Sequence, residues 1–389
     1  MKAHIVIDLG FGDSGKGIVT ARLVQAAQKN NEKVIVVRQN GGHQAGHTVY
    51  SRKHKSHHVF SQFGSGAYTD ASTYLPDTFT FCPEQFVKER EIFNEAKTSR
   101  LPKVYIDAEA MLVTPWDKYA NQIESKATQH GTVGVGFGTT IVRNEKHYNL
   151  YARDLQFPTV LKQKLESIIT NYYGLSLVEE QFAVDRYLEA CAKVLDLDII
   201  LSNNFSHLAR NHYDTVVFES AQGTLLDQHY GFFPNVTRSD TTVKAVYDFI
   251  LKAGIKFSTY NVHYVTRSYL TRHGAGFLPE ETRSLPLSNT NHETNKTNEW
   301  QGELRYAPIN YELLRYAITT NEYYIWKIKC LGRRTLIITC CDQCDVDPEE
   351  VYEKLKRPAL NYIFKSYSPH LEDDYVPYRI EDRKLQHSN

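Results

Sequence analysis

The chain has 389 residues, enough for one elaborated domain around a large core. Its 45 basic residues balance 45 acidic residues, so net charge gives no reason to expect binding to nucleic acid or to an anionic membrane. No apolar run approaches the roughly 20 residues that span a bilayer, and the N-terminus lacks a signal-peptide pattern. We therefore expect a cytoplasmic protein with reduced cysteines, which are Cys82, Cys191, Cys330, Cys340, Cys341 and Cys344.

Apolar, β-branched runs of strand length recur along the chain, with helical patterns between them. This alternation predicts an α/β fold with a mostly parallel central sheet and helices on both faces. A helical stripe over 18–30 follows the first strand and its glycine loop, and the polar stretch 287–301 predicts a mobile surface loop. The predicted strands are 4–9, 33–38, 198–202, 215–219, 257–265 and 335–341.

The loop after the first strand, GFGDSGKG at residues 10–17, has the spacing of a phosphate-binding loop. Its backbone N–H groups and the following helix N-terminus suit phosphate, and Lys16 adds a positive charge. Gly17 replaces the Ser or Thr that usually holds magnesium, which points to Asp13 as a metal ligand or a base. The loop residues predicted to bind nucleotide phosphate are Gly12, Ser14, Gly15, Lys16 and Gly17.

A second glycine motif, NGGHQAGHT at residues 40–48, follows the second strand. Open α/β sheets bind their ligands at the carboxyl ends of strands, and glycines let the backbone approach a ligand. His43 lies inside this glycine turn and suits proton transfer or charge stabilisation near neutral pH. The predicted nucleotide contacts in this motif are Asn40, Gly41, Gly42 and Thr48.

These two motifs resemble the signatures GDEGKG and GGHNAGHT of the adenylosuccinate synthetase family. Three later segments, at 218–227, 234–242 and 271–276, resemble further family blocks in the same order. The chain is thereby identified as a diverged member of that family, with some likeness to the phage 2-aminoadenylosuccinate synthetases. The resemblance implies a single adenylosuccinate synthetase-like domain over 1–389, with a P-loop-like fold, and a homodimer.

The resemblance also implies a carbon–nitrogen ligase. Such an enzyme transfers the γ-phosphoryl group of GTP to the 6-oxygen of IMP or dIMP, and the amine of L-aspartate then displaces phosphate, giving adenylosuccinate and GDP. By the same resemblance Asp13 takes the purine N1 proton, His43 stabilises the transferring phosphoryl group, and Mg²⁺ is held by Asp13 and the carbonyl of Gly42. The implied acceptor-nucleotide contacts are Thr132, Val133, Gln222 and Thr237.

The last third of the chain resembles the family less closely. Asp342 stands where the family has an aspartate that binds guanine, although Cys340 replaces the neighbouring lysine. Ser366 and Ser368 match the family segment at a strand end that closes on the base of the phosphoryl donor. One retained acid favours GTP as the phosphoryl donor and leaves ATP as the alternative.

The segment that matches the family's amine-substrate loop keeps Gly302 and Arg305, and Arg305 is also an implied nucleotide contact. Glu303 falls where an arginine should meet the carboxylate of aspartate, and one carboxylate repels another. Two ligase hypotheses therefore stay open, one with L-aspartate and one with another amine or purine nucleotide. A third hypothesis is an NTPase or nucleotide-binding regulator that has lost ligation; the retained Asp13 and His43 weigh against it.

The contacts to the acceptor's phosphate also differ from the family pattern. Val133 replaces a threonine, and His147 falls where a partner subunit normally sends an arginine. Arg143 lies close by in sequence and is a candidate to compensate for the missing arginine.

Overall fold

The protein alternates strands and helices, seen in a computed structural model that describes residues 1–97, 101–128, 132–197, 199–295, 297, 299–328, 332–356 and 358–380. The strands are β1 (Lys2–Asp8), β2 (Val34–Arg38), β3 (Gly41–Gly42), β4 (His47–Ser51), β5 (Ser56–Phe60), β6 (Ser72–Leu75), β7 (Phe79–Phe81), β8 (Val104–Asp107), β9 (Met111–Leu112), β10 (Ile199–Ser202), β11 (Thr215–Glu219), β12 (Thr259–Arg267), β13 (Leu270–His273), β14 (Leu304–Ala307), β15 (Arg334–Thr339), β16 (Tyr362–Lys365) and β17 (Val376–Arg379). The helices are α1 (Lys16–Lys29), α2 (Pro83–Ala96), α3 (Pro115–Thr128), α4 (Phe137–Glu145), α5 (Pro158–Ser167), α6 (Leu177–Asp196), α7 (Phe205–His212), α8 (Val243–Ala253), α9 (Tyr311–Ile328) and α10 (Pro348–Lys354).

The central sheet has the strand order β10-β8-β6-β2-β11-β1-β12-β15-β16-β17. Every neighbouring pair in it is parallel except β16 with β17, which is antiparallel. The predicted α/β fold with a mostly parallel sheet is therefore confirmed. The six predicted strands correspond to β1, β2, β10, β11, β12 and β15 within two residues at each end, and residue 198 lies outside the described residues.

The sheet is buried on both faces, which explains why its strands are continuous apolar runs. In β1, Ile5 packs in a cluster with Val246 of α8 and Leu314 of α9. The next residue, Val6, points to the opposite face and packs with Val19 of α1. Burying a side chain of this size contributes about 1.5–3 kcal/mol, so helices on both sides stabilise the same strand.

The carboxyl ends of β2, β11, β1, β12, β15 and β16 lie side by side at one edge, because these neighbouring strands run parallel. The glycine loop 10–17 leaves this edge after β1, and the second glycine motif leaves it after β2. An edge of this kind is where doubly wound sheets bind ligands.

Two further sequence predictions concern cysteines and membranes. The described cysteines are unpaired; Cys82, Cys191 and Cys341 are buried, whereas Cys340 and Cys344 are partly exposed. Cys330 lies outside the described residues. Within the described part of the chain, no helix is long and apolar enough to cross a membrane.

Candidate active site

A cavity of about 400 Å³ opens at the carboxyl edge of the sheet, within the size range of small-molecule sites. Loops after β1, β2, β11, β12, β15 and β16 form its walls, together with part of the segment 287–301. The cavity brings together residues that are far apart in sequence. The predicted site residues that line it are Gly12, Asp13, Gly15, Lys16, Gly17, Thr48, Val133, Gln222, Asp342, Ser366 and Ser368.

The phosphate loop is shaped by Asp8, which the sequence analysis did not single out. Its buried carboxylate accepts hydrogen bonds from Gly10 N at 2.8 Å and from the Ser14 hydroxyl at 2.9 Å. The Ser14 N–H donates to the other carboxylate oxygen at 3.2 Å, and the Lys16 ammonium lies 2.8 Å from that oxygen. Lys16 is only 3% exposed, so Asp8 neutralises its charge inside the protein.

Asp13 lies partly exposed on the cavity wall, with its backbone in the left-handed region at φ 59°. The Arg267 Nε–H donates to the Asp13 carbonyl at 2.6 Å and fixes this part of the loop. Burial raises the pKa of the Asp13 carboxyl, and the positive charges of Arg267 and Lys16 oppose that shift. Among the described residues no hydrogen bond reaches the Asp13 carboxylate, which leaves it available to a ligand.

Arg267, at the end of β12, connects the phosphate loop to the segment 287–301. Its guanidinium donates to the Tyr269 hydroxyl at 2.9 Å and to the Glu293 carboxylate at 2.8 Å. Burial opposes ionisation of Glu293, but the Arg267 ion pair prevails and lowers the pKa of that carboxyl. The hydroxyls of Thr294 and Thr48 lie 2.8 Å apart, so residues 293–294 pack onto the site. Residues 296 and 298 of the predicted mobile loop lie outside the described residues.

Several buried polar atoms near the glycine motifs have no hydrogen-bond partner among the described residues. They include the Nδ1 of His43, both side-chain polar atoms of Gln44 and the Oε1 of Gln222. Burial lowers the pKa of His43 to about 3, with a further contribution from the charge of Lys118, so this imidazole is neutral near pH 7. His43 does not itself line the cavity. Unpaired buried groups of this kind are what a bound ligand would satisfy.

His47 forms a buried pair with Glu219 that the sequence analysis also missed. The His47 Nδ1 lies 2.7 Å from a Glu219 carboxylate oxygen, and the Ser65 hydroxyl donates to the same oxygen. Burial lowers the pKa of His47 to about 4. Burial opposes ionisation of Glu219, but its contacts with His47 and Arg38 lower the pKa of that carboxyl to about 2. A neutral imidazole therefore donates its Nδ1–H to an ionised carboxylate and holds the second glycine motif against β11.

The far end of the cavity contains Cys340, Asp342, Ser366 and Ser368. Burial raises the pKa of the Asp342 carboxyl, which remains partly exposed. The Ser366 hydroxyl accepts a hydrogen bond from Arg22 and donates to the Ser368 carbonyl at 3.1 Å. Ser366 therefore shapes the wall, because its hydroxyl is already engaged within the protein.

Other predicted nucleotide contacts lie away from the cavity wall. The Asn40 amide donates to the Ser239 hydroxyl at 3.0 Å and accepts from the Ala221 N–H at 2.9 Å. Thr132 accepts a hydrogen bond from the Asn121 amide at 3.0 Å, and Thr237 is buried. The other predicted residues outside the wall are Ser14, Gly41, Gly42, His43, Gly302, Glu303 and Arg305.

Of the amine-loop residues, Arg305 lies in β14, and Gly302 and Glu303 lie just before this strand. The guanidinium of Arg305 donates to the carbonyls of Gly274 at 2.9 Å and Gly276 at 2.7 Å, and it pairs with Glu281 at 2.6 Å. Glu303 is exposed. In this arrangement three of the five N–H donors of Arg305 are engaged by residues between Gly274 and Glu281.

Arg143, the candidate to compensate for a missing phosphate contact, is not available for that role. Arg143 is fully buried and forms an ion pair with Asp117 at 2.8 Å. It also donates to the carbonyls of Leu112 and Tyr148. These partners consume its guanidinium inside the protein, whereas His147 is exposed at the end of α4.

Comparison with known proteins gives the same family as the motifs. The adenylosuccinate synthetase family profile matches residues 5–353. Adenylosuccinate synthetase of Clostridium botulinum strain Eklund 17B is 31% identical over 72% of this chain and 66% of its own length. The enzyme of Pseudoalteromonas atlantica is 30% identical over 72% of this chain and 65% of its own length. The matches thus span about two thirds of these relatives.

Solved structures share the fold at low sequence identity. A fully ligated adenylosuccinate synthetase from Plasmodium falciparum has a TM-score of 0.73 and 17% identity, covering 95% of this chain and 98% of its own. The succinoaminodeoxyadenylate synthetase of cyanophage S-2L, bound to dGMP and dATP as an energy donor, has a TM-score of 0.65 and 15% identity, covering 100% and 99%. The family profile over most of the chain, with the motifs at one sheet edge, shows that the chain belongs to the adenylosuccinate synthetase family.

Proposed function

We propose that the chain is a carbon–nitrogen ligase that uses GTP to phosphorylate the 6-oxygen of IMP or dIMP. The amine of L-aspartate then displaces the phosphate, giving the succinyl adduct, GDP and inorganic phosphate. The observation that carries the proposal is the Asp13 carboxylate, which lies on the cavity wall beside the phosphate loop without a protein hydrogen bond in the described part of the chain. Family membership supports the reaction class.

Phosphoryl transfer depends mainly on positioning and on stabilising charge, and the proposed roles follow from the site. Asp13 takes the N1 proton of the purine, and its raised pKa brings its basicity closer to neutral pH. Lys16 and the loop N–H groups hold the phosphates. The neutral His43 stabilises the transferring group by a hydrogen bond, and Gln222 and Thr237 hold the acceptor nucleotide.

The carboxylate of Asp13, on the cavity wall and without a hydrogen bond from the described residues, suits a magnesium ion. The described residues contain no cluster of three His, Cys, Asp or Glu side chains, so a metal bound here would take most of its ligands from phosphate and water. The Asp13 carboxylate and the Gly42 carbonyl, which accepts one bond from Ala45 N at 3.2 Å, are the oxygens that would hold it. When bound, Mg²⁺ neutralises charge on the phosphates.

GTP is the proposed donor because Asp342 lines the cavity and offers a carboxylate to guanine N–H groups. ATP is the second candidate, since the cyanophage relative was solved with dATP as an energy donor. L-Aspartate is the proposed amine on family grounds. The exposed Glu303, together with the engagement of three Arg305 donors inside the protein, makes another amine the second candidate.

Release of inorganic phosphate tests the proposal. GTP and ATP are each incubated with IMP or dIMP and Mg²⁺, with and without L-aspartate, and the Asp13→Asn variant serves as the control. The proposal requires phosphate release that needs the acceptor nucleotide and the amine together. Release without an amine points to an NTPase or regulator and contradicts the ligase. If L-aspartate does not support phosphate release and another amine does, the mechanism stands and the proposed amine substrate is replaced.

A further inference from the structure

Arg22 lies in α1, six residues after Lys16, and no substrate role has been assigned to it above. The residue is 7% exposed, and its guanidinium lies over the ring of Tyr375 at 4.5 Å from the ring centroid. It donates hydrogen bonds to the Ser366 hydroxyl at 2.9 Å and to the Ser368 and His370 carbonyls at 3.1 and 2.8 Å. One charged side chain thus bonds to three residues of the segment 366–370.

This segment is a wall of the cavity. Ser366, Ser368 and Pro369 line it at the end that also contains Asp342. The Ser366 carbonyl accepts a hydrogen bond from Cys341 N at 3.1 Å, which places the wall directly beside the strand end that carries Asp342. The position of the segment therefore sets the width of the cavity opposite that carboxylate.

The helix that carries Arg22 also begins at the phosphate loop. Lys16 is the first residue of α1, so the phosphate end and the opposite wall are attached to one rigid element. A further link comes from Thr339, whose hydroxyl donates to the Ser14 carbonyl at 2.9 Å. Because α1 connects both ends, it fixes the distance between the phosphates and the base of a bound nucleoside triphosphate.

We propose that Arg22 is a positioning residue that sets the base selectivity of the donor site. It acts through the segment 366–370 and does not touch the nucleotide. The inference rests on the proposed function, because it takes the cavity to bind a purine nucleoside triphosphate. Charged hydrogen bonds to backbone carbonyls suit this task, since they hold a loop in one conformation.

The test measures dissociation constants of GTP, ATP and ITP for the full-length wild-type chain and for Arg22→Met. Wild type is expected to prefer one of the three bases. In Arg22→Met the preferred nucleotide should bind at least about tenfold more weakly. The ratio between the largest and the smallest of the three dissociation constants, here called the spread, should therefore become smaller. Lys16→Met should weaken all three together, because it acts on the phosphates. Lys29→Met removes a charge from an exposed position of the same helix and should change nothing.

Two further variants keep the test decisive if Arg22→Met folds poorly. Ser366→Ala removes one of the three hydrogen bonds and should reduce the spread of dissociation constants less than Arg22→Met does. The spread in Arg22→Lys should lie between those of wild type and Arg22→Met. Equal losses for all three nucleotides, or an unchanged spread in every Arg22 and Ser366 variant, would overturn the inference. A wild-type chain that binds none of the nucleotides would refute the proposed function as well, whereas a wild-type chain that binds all three equally refutes only the role of Arg22.

Discussion

The buried pair of Asp8 and Lys16 connects the stability of the chain to nucleotide binding. The Lys16 ammonium lies 2.8 Å from the Asp8 carboxylate, and the two side chains are 3% and 0% exposed. Asp8→Asn keeps the size of the side chain but leaves the Lys16 charge without a counter-ion. Removing one partner of a buried ion pair costs about 3–5 kcal/mol, so the free energy of unfolding should fall by that order.

A bound triphosphate should restore part of this loss, because its negative charge replaces that of Asp8 beside Lys16. In wild type Asp8 already neutralises the Lys16 ammonium, so the attraction between this ammonium and a bound phosphate contributes less to binding. If nucleotide binding restores one third of the free energy of unfolding lost in Asp8→Asn, this variant binds the nucleotide about tenfold more tightly than wild type, since tenfold corresponds to about 1.4 kcal/mol. The nucleotide-dependent gain in unfolding free energy should then be larger in Asp8→Asn than in wild type by about that amount.

Urea unfolding followed by tryptophan fluorescence, with and without GTP and Mg²⁺, measures both quantities; the chain has 3 tryptophans. Lys16→Met and the double variant Asp8→Asn/Lys16→Met complete a double-mutant cycle. The extra gain should vanish in the double variant, which has no ammonium to neutralise. Equal nucleotide-dependent gains in wild type and Asp8→Asn would refute the reasoning.

Three further predictions follow from the site and the sheet. Asp13→Asn should lower the ligation rate by at least about 100-fold while leaving the dissociation constant of GTP, measured without Mg²⁺, nearly unchanged; an active variant would contradict the role of Asp13 as base. Glu303→Arg should lower the KM for L-aspartate by about tenfold, because an arginine fork binds a carboxylate, and an unchanged KM would place the amine elsewhere. Burial lowers the pKa of His4 to about 4, so the unfolded chain binds more protons than the folded chain between pH 4 and pH 6.5, and stability rises with pH in that window. His4 should therefore make the free energy of unfolding up to about 2 kcal/mol lower at pH 5 than at pH 7, in addition to the contributions of His43 and His47, whose pKa values burial also lowers. His4→Gln should remove the His4 part of this dependence, and equal pH profiles for the two proteins would show that His4 does not contribute to it.

Much of the fold was predictable because its signals are local. Apolar β-branched runs marked the central strands, and the carboxyl ends of parallel strands placed both glycine motifs at one edge. The family motifs added candidate roles for Asp13 and His43, and those roles stay predictions until activity is measured.

The ion pairs of the site were not predictable, because they depend on side-chain directions and on distant partners. Asp8 ends an apolar strand, and nothing in its neighbours shows that it turns toward Lys16. Arg267 meets Glu293 across 26 residues. Arg143 looked available in sequence, yet the folded chain buries it completely. An acid that ends a strand just before a glycine loop would have marked Asp8 as a candidate site residue, although it would not have shown Lys16 as its partner.

The central claim is that the phosphoryl group passes to the purine 6-oxygen and that this oxygen then leaves with the phosphate. IMP or dIMP labelled with ¹⁸O at position 6 tests this directly, with GTP, Mg²⁺ and L-aspartate present and mass spectrometry of both products. We expect one ¹⁸O in the released phosphate and an unlabelled succinyl adduct of the purine nucleotide. Released phosphate without ¹⁸O, together with unchanged labelled nucleotide, would show that water accepts the phosphoryl group and would contradict the ligase assignment.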